Sequence, residues 1–183
     1  MSTSEIYVRK EGRGSSLGEY WPLFSLTGIS ALAGLAIAMG GSGPGLDGVR
    51  SITMTSFMHG FMGVFLVVFA LLKIFNLKGF RRGFTMYDLL AKRVRNYALV
   101  YPFIELVLGL AYLAYFMPVA TYWATIVVFA FGTFGVILAL RDGLDIDCPC
   151  MGSILSVPLS TVTLTEDLSM VVMAGLLLWG ASV

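Results

Sequence analysis

Charge is what this sequence lacks most. Only 13% of its 183 residues are Asp, Glu, Lys or Arg, about half the share in an average soluble domain. A water-soluble globule of this size cannot cover its surface with so little. Histidine occurs once and cysteine twice, which leaves hydrolytic triads and four-ligand zinc sites little to stand on. No Gly-rich phosphate loop, metalloprotease motif, internal repeat or low-complexity tract is present. A net charge of +1 makes no electrostatic case for nucleic acid or another acidic macromolecule. These absences exclude a cytosolic enzyme, a disordered regulator and a nucleic-acid binder.

What is present is apolar: 57% of the residues are hydrophobic and the mean hydropathy is +0.85. A membrane span needs about 20 such residues in a row, and long runs without period-2 alternation mean helices. Five runs qualify: Leu23–Gly40, Ile52–Phe75, Tyr97–Met117, Ala120–Leu140 and Thr161–Trp179. The expected fold is an all-α polytopic membrane protein with five transmembrane helices. A polar tail over 1–22 and an anchor over 23–40 precede a membrane bundle over 52–183. The first run resembles a signal peptide around Ala36-Ile37-Ala38, but its polar leader is long for one, so a retained anchor is expected.

Six of the 12 Lys and Arg residues fall in 76–96, namely Lys78, Arg81, Arg82, Lys92, Arg93 and Arg95. The positive-inside rule puts that segment in the cytoplasm of a bacterial inner-membrane protein. The N-terminus and the segment 141–160 then also lie inside, and the C-terminus outside. Tyr20, Trp21, Tyr97, Tyr101, Tyr122, Trp123 and Trp179 stand near span ends and read as an aromatic belt. Gly60, Gly63, Gly109, Gly132 and Gly135 read as sites of close helix approach. Within the basic segment, Thr85–Arg95 reads as a short interfacial helix with Met86, Leu89, Leu90 and Val94 on one face.

The polar residues that remain carry the chemistry. Both cysteines, Cys148 and Cys150, stand two residues apart in Asp145-Ile-Asp-Cys-Pro-Cys-Met-Gly152. A disulfide there closes too small a loop to restrain the unfolded chain, so a structural staple is implausible. Two functional readings survive: a dithiol cycling with a strained, easily reduced disulfide, or two thiolates holding a soft cation such as Cu(I). The acidic neighbours Asp142, Asp145, Asp147, Glu166 and Asp167 disfavour thiolate formation and favour a cation. Met54, Met58 and Met62 recur at helical spacing beside His59, which suits either ordinary core packing or an entry for a soft metal. Packing is the simpler account.

Glu105 lies about 12 Å into the third span. It pairs with Lys73, stays protonated or faces a polar pathway, and the pair is favoured because both lie in the inner half of the bilayer. Thr163-x-x-Glu166 fits a capping box opening the fifth helix, with Glu166 and Asp167 stabilised at its N-terminus.

With these residues in view, the chain resembles the MauE/DoxX group of redox-associated membrane proteins, and most the MauE-like branch associated with heavy-metal-associated domains. The likeness rests on Phe57-Met-His-Gly-Phe-Met-Gly-Val-Phe-Leu66, Lys73-Ile-Phe-Asn-Leu-Lys-Gly-Phe80, Met86-Tyr-Asp-Leu-Leu-Ala-Lys92 and Tyr101-Pro-Phe-Ile-Glu-Leu106. It rests most of all on Cys148-Pro-Cys-Met-Gly152 followed by Pro158-Leu-Ser-Thr-Val-Thr163 and Glu166-Asp167. The resemblance implies a four-helix bundle built from the last four spans, with a thiol-redox or metal-handling role. It also implies a part in maturing a disulfide-rich dehydrogenase beside a thioredoxin-like partner. The chain departs from the group in its extra anchor and in having no heavy-metal domain.

The leading expectation is therefore a redox-active pair, Cys148 and Cys150, relaying thiol–disulfide electrons to a protein partner. Lys73, Glu105, Glu166 and Asp167 shape the polar interior around it. The alternative is a copper or mercury protein with Met54, Met58, His59 and Met62 at its outer entry and Cys148 and Cys150 as inner acceptor. No resident cofactor is assigned beyond the copper or other soft metal ion of that alternative. A third reading is a structural subunit of a larger membrane complex. The other partner is the lipid bilayer.

Overall fold

The computed structural model describes residues 20–40, 54–88, 91, 93, 96–141 and 159–182. Within them run α1 (Trp21–Gly40), α2 (Met54–Phe75), α3 (Leu77–Tyr87), α4 (Tyr97–Leu113), α5 (Pro118–Arg141) and α6 (Leu159–Ser182). No strand occurs among the described residues. Helices α1, α2, α5 and α6 are long and apolar enough to cross a membrane, and α4 is apolar but only 17 residues long. The fold is an all-α polytopic membrane protein, its last four long helices forming the bundle.

Helix α4 stops at Leu113, four residues before the end of the apolar run. The reason is a left-handed break: Tyr115 and Met117 have φ of 51° and 39°. Phe116 N donates to Ala111 O at 2.9 Å and Tyr115 N to Tyr112 O at 3.3 Å, the bond pattern of a helix end normally closed by glycine. A non-glycine residue in this region costs roughly 1–2 kcal/mol, and the contacts of the Tyr115 ring described below offset it. Pro118 then opens α5, where a missing N–H does no harm.

Helix α2 is the centre of the packing. On one side α1 lays Ser30, Gly34 and Ala38 against it, its three buried residues, spaced four apart along one face. A Cβ at Gly34 would stand 2.6 Å from the Phe61 backbone nitrogen, and one at Gly60 would stand 2.9 Å from Gly34 Cα. On the other side, Gly63 and Gly109 let α2 and α4 touch backbone to backbone. Cβ atoms there would meet Gly109 O and Gly63 O, each at 3.0 Å. With no hydrophobic drive between helices in lipid, such close contacts are what hold them together. Helices α5 and α6 pack along each other and close the bundle.

The sequence pattern expects an amphipathic helix over Thr85–Arg95, of which the structure describes Ala91 and Arg93 as helical. Ahead of it the basic segment holds a helix that the pattern does not mark, α3, from Leu77 to Tyr87. Its start is set by Asn76, whose side chain accepts from Gly79 N at 3.2 Å. Its apolar face is Phe80 and Phe84, both buried against Ala98, Tyr101 and Val136. Beyond it, Asp88 Oδ1 accepts from Ala91 N at 2.8 Å; Leu89, Leu90 and Val94 lie outside the described residues.

Two apolar clusters result. One gathers Phe80, Phe84, Ala98, Tyr101 and Val136. The other gathers Met58, Met62, Leu66, Phe69, Leu108, Tyr112, Phe129 and Met170. The order of residues along α2, α4, α5 and α6 leaves one level between the clusters, occupied by Lys73, Glu105, Gly132, Glu166 and Asp167.

Candidate functional site

That level is a buried layer of charge. Lys73, in the last turn of α2, places its Nζ 2.6 Å from both carboxylate oxygens of Glu105 on α4. The same Nζ lies 3.8 Å from Glu166 Oε1 on α6, so one ammonium reaches carboxylates on two other helices. Lys73 is 2% exposed and Glu105 not at all. The ammonium also stands over the rings of Phe80 and Tyr101, 5.9 and 5.4 Å from their centroids, where their π faces attract a cation. Asp167 turns the other way, toward α5, and fits because residue 132 is glycine: a Cβ there would stand 3.0 Å from Asp167 Oδ2. Buried ion pairs need good geometry and supporting contacts to offset desolvation, and this one has both.

Two local readings change here. Helix α6 already runs from Leu159, so Thr163 sits in its second turn rather than at the N-cap. Glu166 and Asp167 are therefore interior side chains, only 4% and 3% exposed, and not charges resting on a helix end. Tyr101 and Tyr122, read as belt residues, both turn inward, while Trp21, Trp123 and Trp179 stay exposed. Hydropathy at a span end does not distinguish an inward aromatic ring from an outward one.

A second polar centre lies at the other end of the bundle, 14 residues back along α2 and so about 21 Å away. His59 is buried, with Nδ1 3.1 Å from Tyr112 O and Nε2 2.5 Å from the Tyr122 hydroxyl. A carbonyl only accepts, so Nδ1 carries the proton and donates it; Nε2 accepts from Tyr122. Tyr112 donates its own hydroxyl to Thr125 Oγ1 at 3.1 Å, and Tyr115 stacks on the imidazole at 4.2 Å and 3°. His59 thus ties the end of α4 and the start of α5 to α2. Tyr122→Phe leaves Nε2 buried without its donor and is expected to cost about 1–3 kcal/mol, read from the unfolding midpoint of the purified protein in detergent. A change below about 0.5 kcal/mol, the range of ordinary surface substitutions, would show the bond to be dispensable.

Met58 and Met62 are buried in the core beside His59, and Met54 is 67% exposed at the helix start. The one imidazole lone pair is taken up by Tyr122. Among the described residues, no three His, Cys, Asp or Glu side chains are placed to hold a metal ion. Cys148, Cys150, Asp142, Asp145 and Asp147 lie outside the described residues. The polar residues that sequence reasoning missed are Tyr112, Tyr115, Tyr122 and Thr125, because hydroxyls in apolar runs carry no spacing signal of their own. Glu166 as a second partner of Lys73 was hidden for a different reason, by a plausible capping motif.

A family model described as methylamine utilisation protein MauE matches residues 52–180. No curated protein and no solved structure matches the chain.

Proposed function

The chain belongs to the MauE family, and from that premise we propose that it is a membrane-embedded thiol–disulfide relay whose working pair is Cys148 and Cys150. The observation that carries this reading is the spacing of the cysteines. Both stand two residues apart in the segment joining Arg141, at the end of α5, to Leu159, at the start of α6. Leu140 and Leu164, near those two helix ends, pack on the cluster of Phe80, Phe84 and Tyr101, so the segment is rooted at the Lys73 end of the bundle. The charge layer, by tying α2, α4 and α6 together there, gives the segment a rigid base.

In the relay, the Cys148–Cys150 disulfide takes two electrons and two protons from a protein dithiol, whose own sulfurs become a disulfide. The reduced pair then attacks the disulfide of a second protein through a mixed disulfide, restoring its own bond and leaving that protein as a dithiol. A disulfide across one residue is strained and hence easily reduced, which suits a carrier better than a staple. The partners are proteins of thioredoxin-like chemistry, as the resemblance to the MauE/DoxX group implies. By the positive-inside rule we assign the Lys73 end, with its basic segment, to the cytoplasmic face of a bacterial inner membrane.

Alkylation trapping in cells is the test. The natural chain is expected to show both oxidised and reduced pairs, and Cys148→Ser is expected to hold a partner in a mixed disulfide through Cys150, released by reductant. A pair always reduced, with no mixed disulfide in either single variant, would exclude the relay.

A further inference from the structure

We infer that the cationic face of α3 is a binding surface for the phosphodiester headgroups of anionic phospholipid. Helix α3 carries no acidic residue, and its cations are Lys78, Arg81 and Arg82. Phe80, Gly83 and Phe84 are buried toward the bundle, while Lys78 and Arg82 are exposed and Arg81 is half-buried. Lys78 is three residues from Arg81 and four from Arg82, so all three charges lie on adjacent turns of one surface. Among the described residues none of the three side chains forms an ion pair or hydrogen bond. Like charges at that spacing repel and weaken a helix unless an anion sits between them.

The position of α3 names the anion. Helix α2 has 22 residues, about 33 Å at 1.5 Å per residue, close to the about 30 Å thickness of the hydrocarbon core. A single residue, Asn76, separates its end from α3, so α3 begins where the headgroups begin. Phe80 and Phe84 hold it against α4 and α5, which keeps the cationic surface at the bilayer boundary instead of free in water. Arg141, exposed at the end of α5, and the exposed Arg93 add positive charge at the same end. Phosphates of anionic lipid are the anions present there at high density.

Trp21 gives a local readout. It is 71% exposed and lies beside Tyr20 and Leu23, which pack on the same cluster as Phe80 and Phe84. The full chain carrying Trp123→Phe and Trp179→Phe, in mixed micelles, is titrated with brominated phosphatidylglycerol or brominated phosphatidylcholine while Trp21 fluorescence is followed. Phosphatidylglycerol is expected to quench at least about tenfold more effectively, and the preference is expected to fade near about 1 M salt. Combined Lys78→Gln, Arg81→Gln and Arg82→Gln is expected to abolish the preference. If that chain does not fold, Arg82→Gln alone, opposite the buried face, is expected to reduce it severalfold. Equal quenching by the two lipids, or a preference unchanged in the variants, overturns the assignment and leaves the face to an acidic protein segment. Displacement of the lipid by equimolar inorganic phosphate overturns it in favour of a free anion.

Discussion

Lys73→Met is expected to destabilise the folded protein by about 3–5 kcal/mol, the cost of leaving a buried charge without its partner. Among the described residues, its ammonium is the one cation in a layer that holds Glu105, Glu166 and Asp167, all buried. Glu105→Gln is expected to cost less, because Glu166 already stands 3.8 Å from Nζ and can take over part of the pairing. Combining Lys73→Met with Glu105→Leu removes both ends of the short contact and is expected to recover part of the loss, since an apolar replacement avoids the desolvation of the pair. Denaturant titration of the purified protein in mixed micelles, followed by circular dichroism, measures all three. A Lys73→Met variant within about 1 kcal/mol of the natural chain, the size of an exposed ion pair, would show that the layer does not bind the helices together.

The second large effect is expected at the contact of α2 with α4. Gly109→Ala puts a methyl group 2.9 Å from both the backbone nitrogen and Cγ2 of Val67, and 3.0 Å from Gly63 O. Backbone cannot step aside as a side chain does, so the helices must separate, at about 1–3 kcal/mol. Glu105 is one turn away on the same helix, so the separation is expected to lengthen its bond to Lys73. Gly109→Ala and Glu105→Gln are then non-additive in a double-mutant cycle. Gly175→Ala is the control, as a Cβ there meets nothing within 4 Å. It is expected to be neutral or to stabilise by up to about 1 kcal/mol through helix propensity. If both alanines behaved alike, the close approach of α2 and α4 would not be a source of stability.

The two polar centres differ in how visible they are in the sequence. Lys73 and Glu105 stand out because ionisable groups in apolar runs are rare and expensive, and their depths along two spans match. Glu166 does not, since Thr163-x-x-Glu166 also satisfies a capping pattern and only the start of α6 at Leu159 decides between them. The His59 centre shows one residue of its five. Tyr112, Tyr115, Tyr122 and Thr125 are compatible with belt, lipid face or core, and the Tyr115 backbone turn that brings its ring onto His59 has no glycine to announce it. Helix α3 has no such signal in the sequence, because its anchoring rings, Phe80 and Phe84, show their worth only against Tyr101 and Val136.

Composition and run length by themselves determined that this chain is an all-α membrane protein, and roughly where its spans lie. Transfer of a span into lipid is a sum over about 20 residues and needs no knowledge of neighbours. The same holds for the crowding of basic residues between the second and third spans, which acts through the membrane as a whole. Beyond the Lys73–Glu105 pair, tertiary structure alone decided which polar groups meet. That depends on the rotation of each helix about its axis, set by glycines at 34, 60, 63, 109 and 132 that let particular faces approach. Those contacts are made between helices, so no single stretch of sequence contains them.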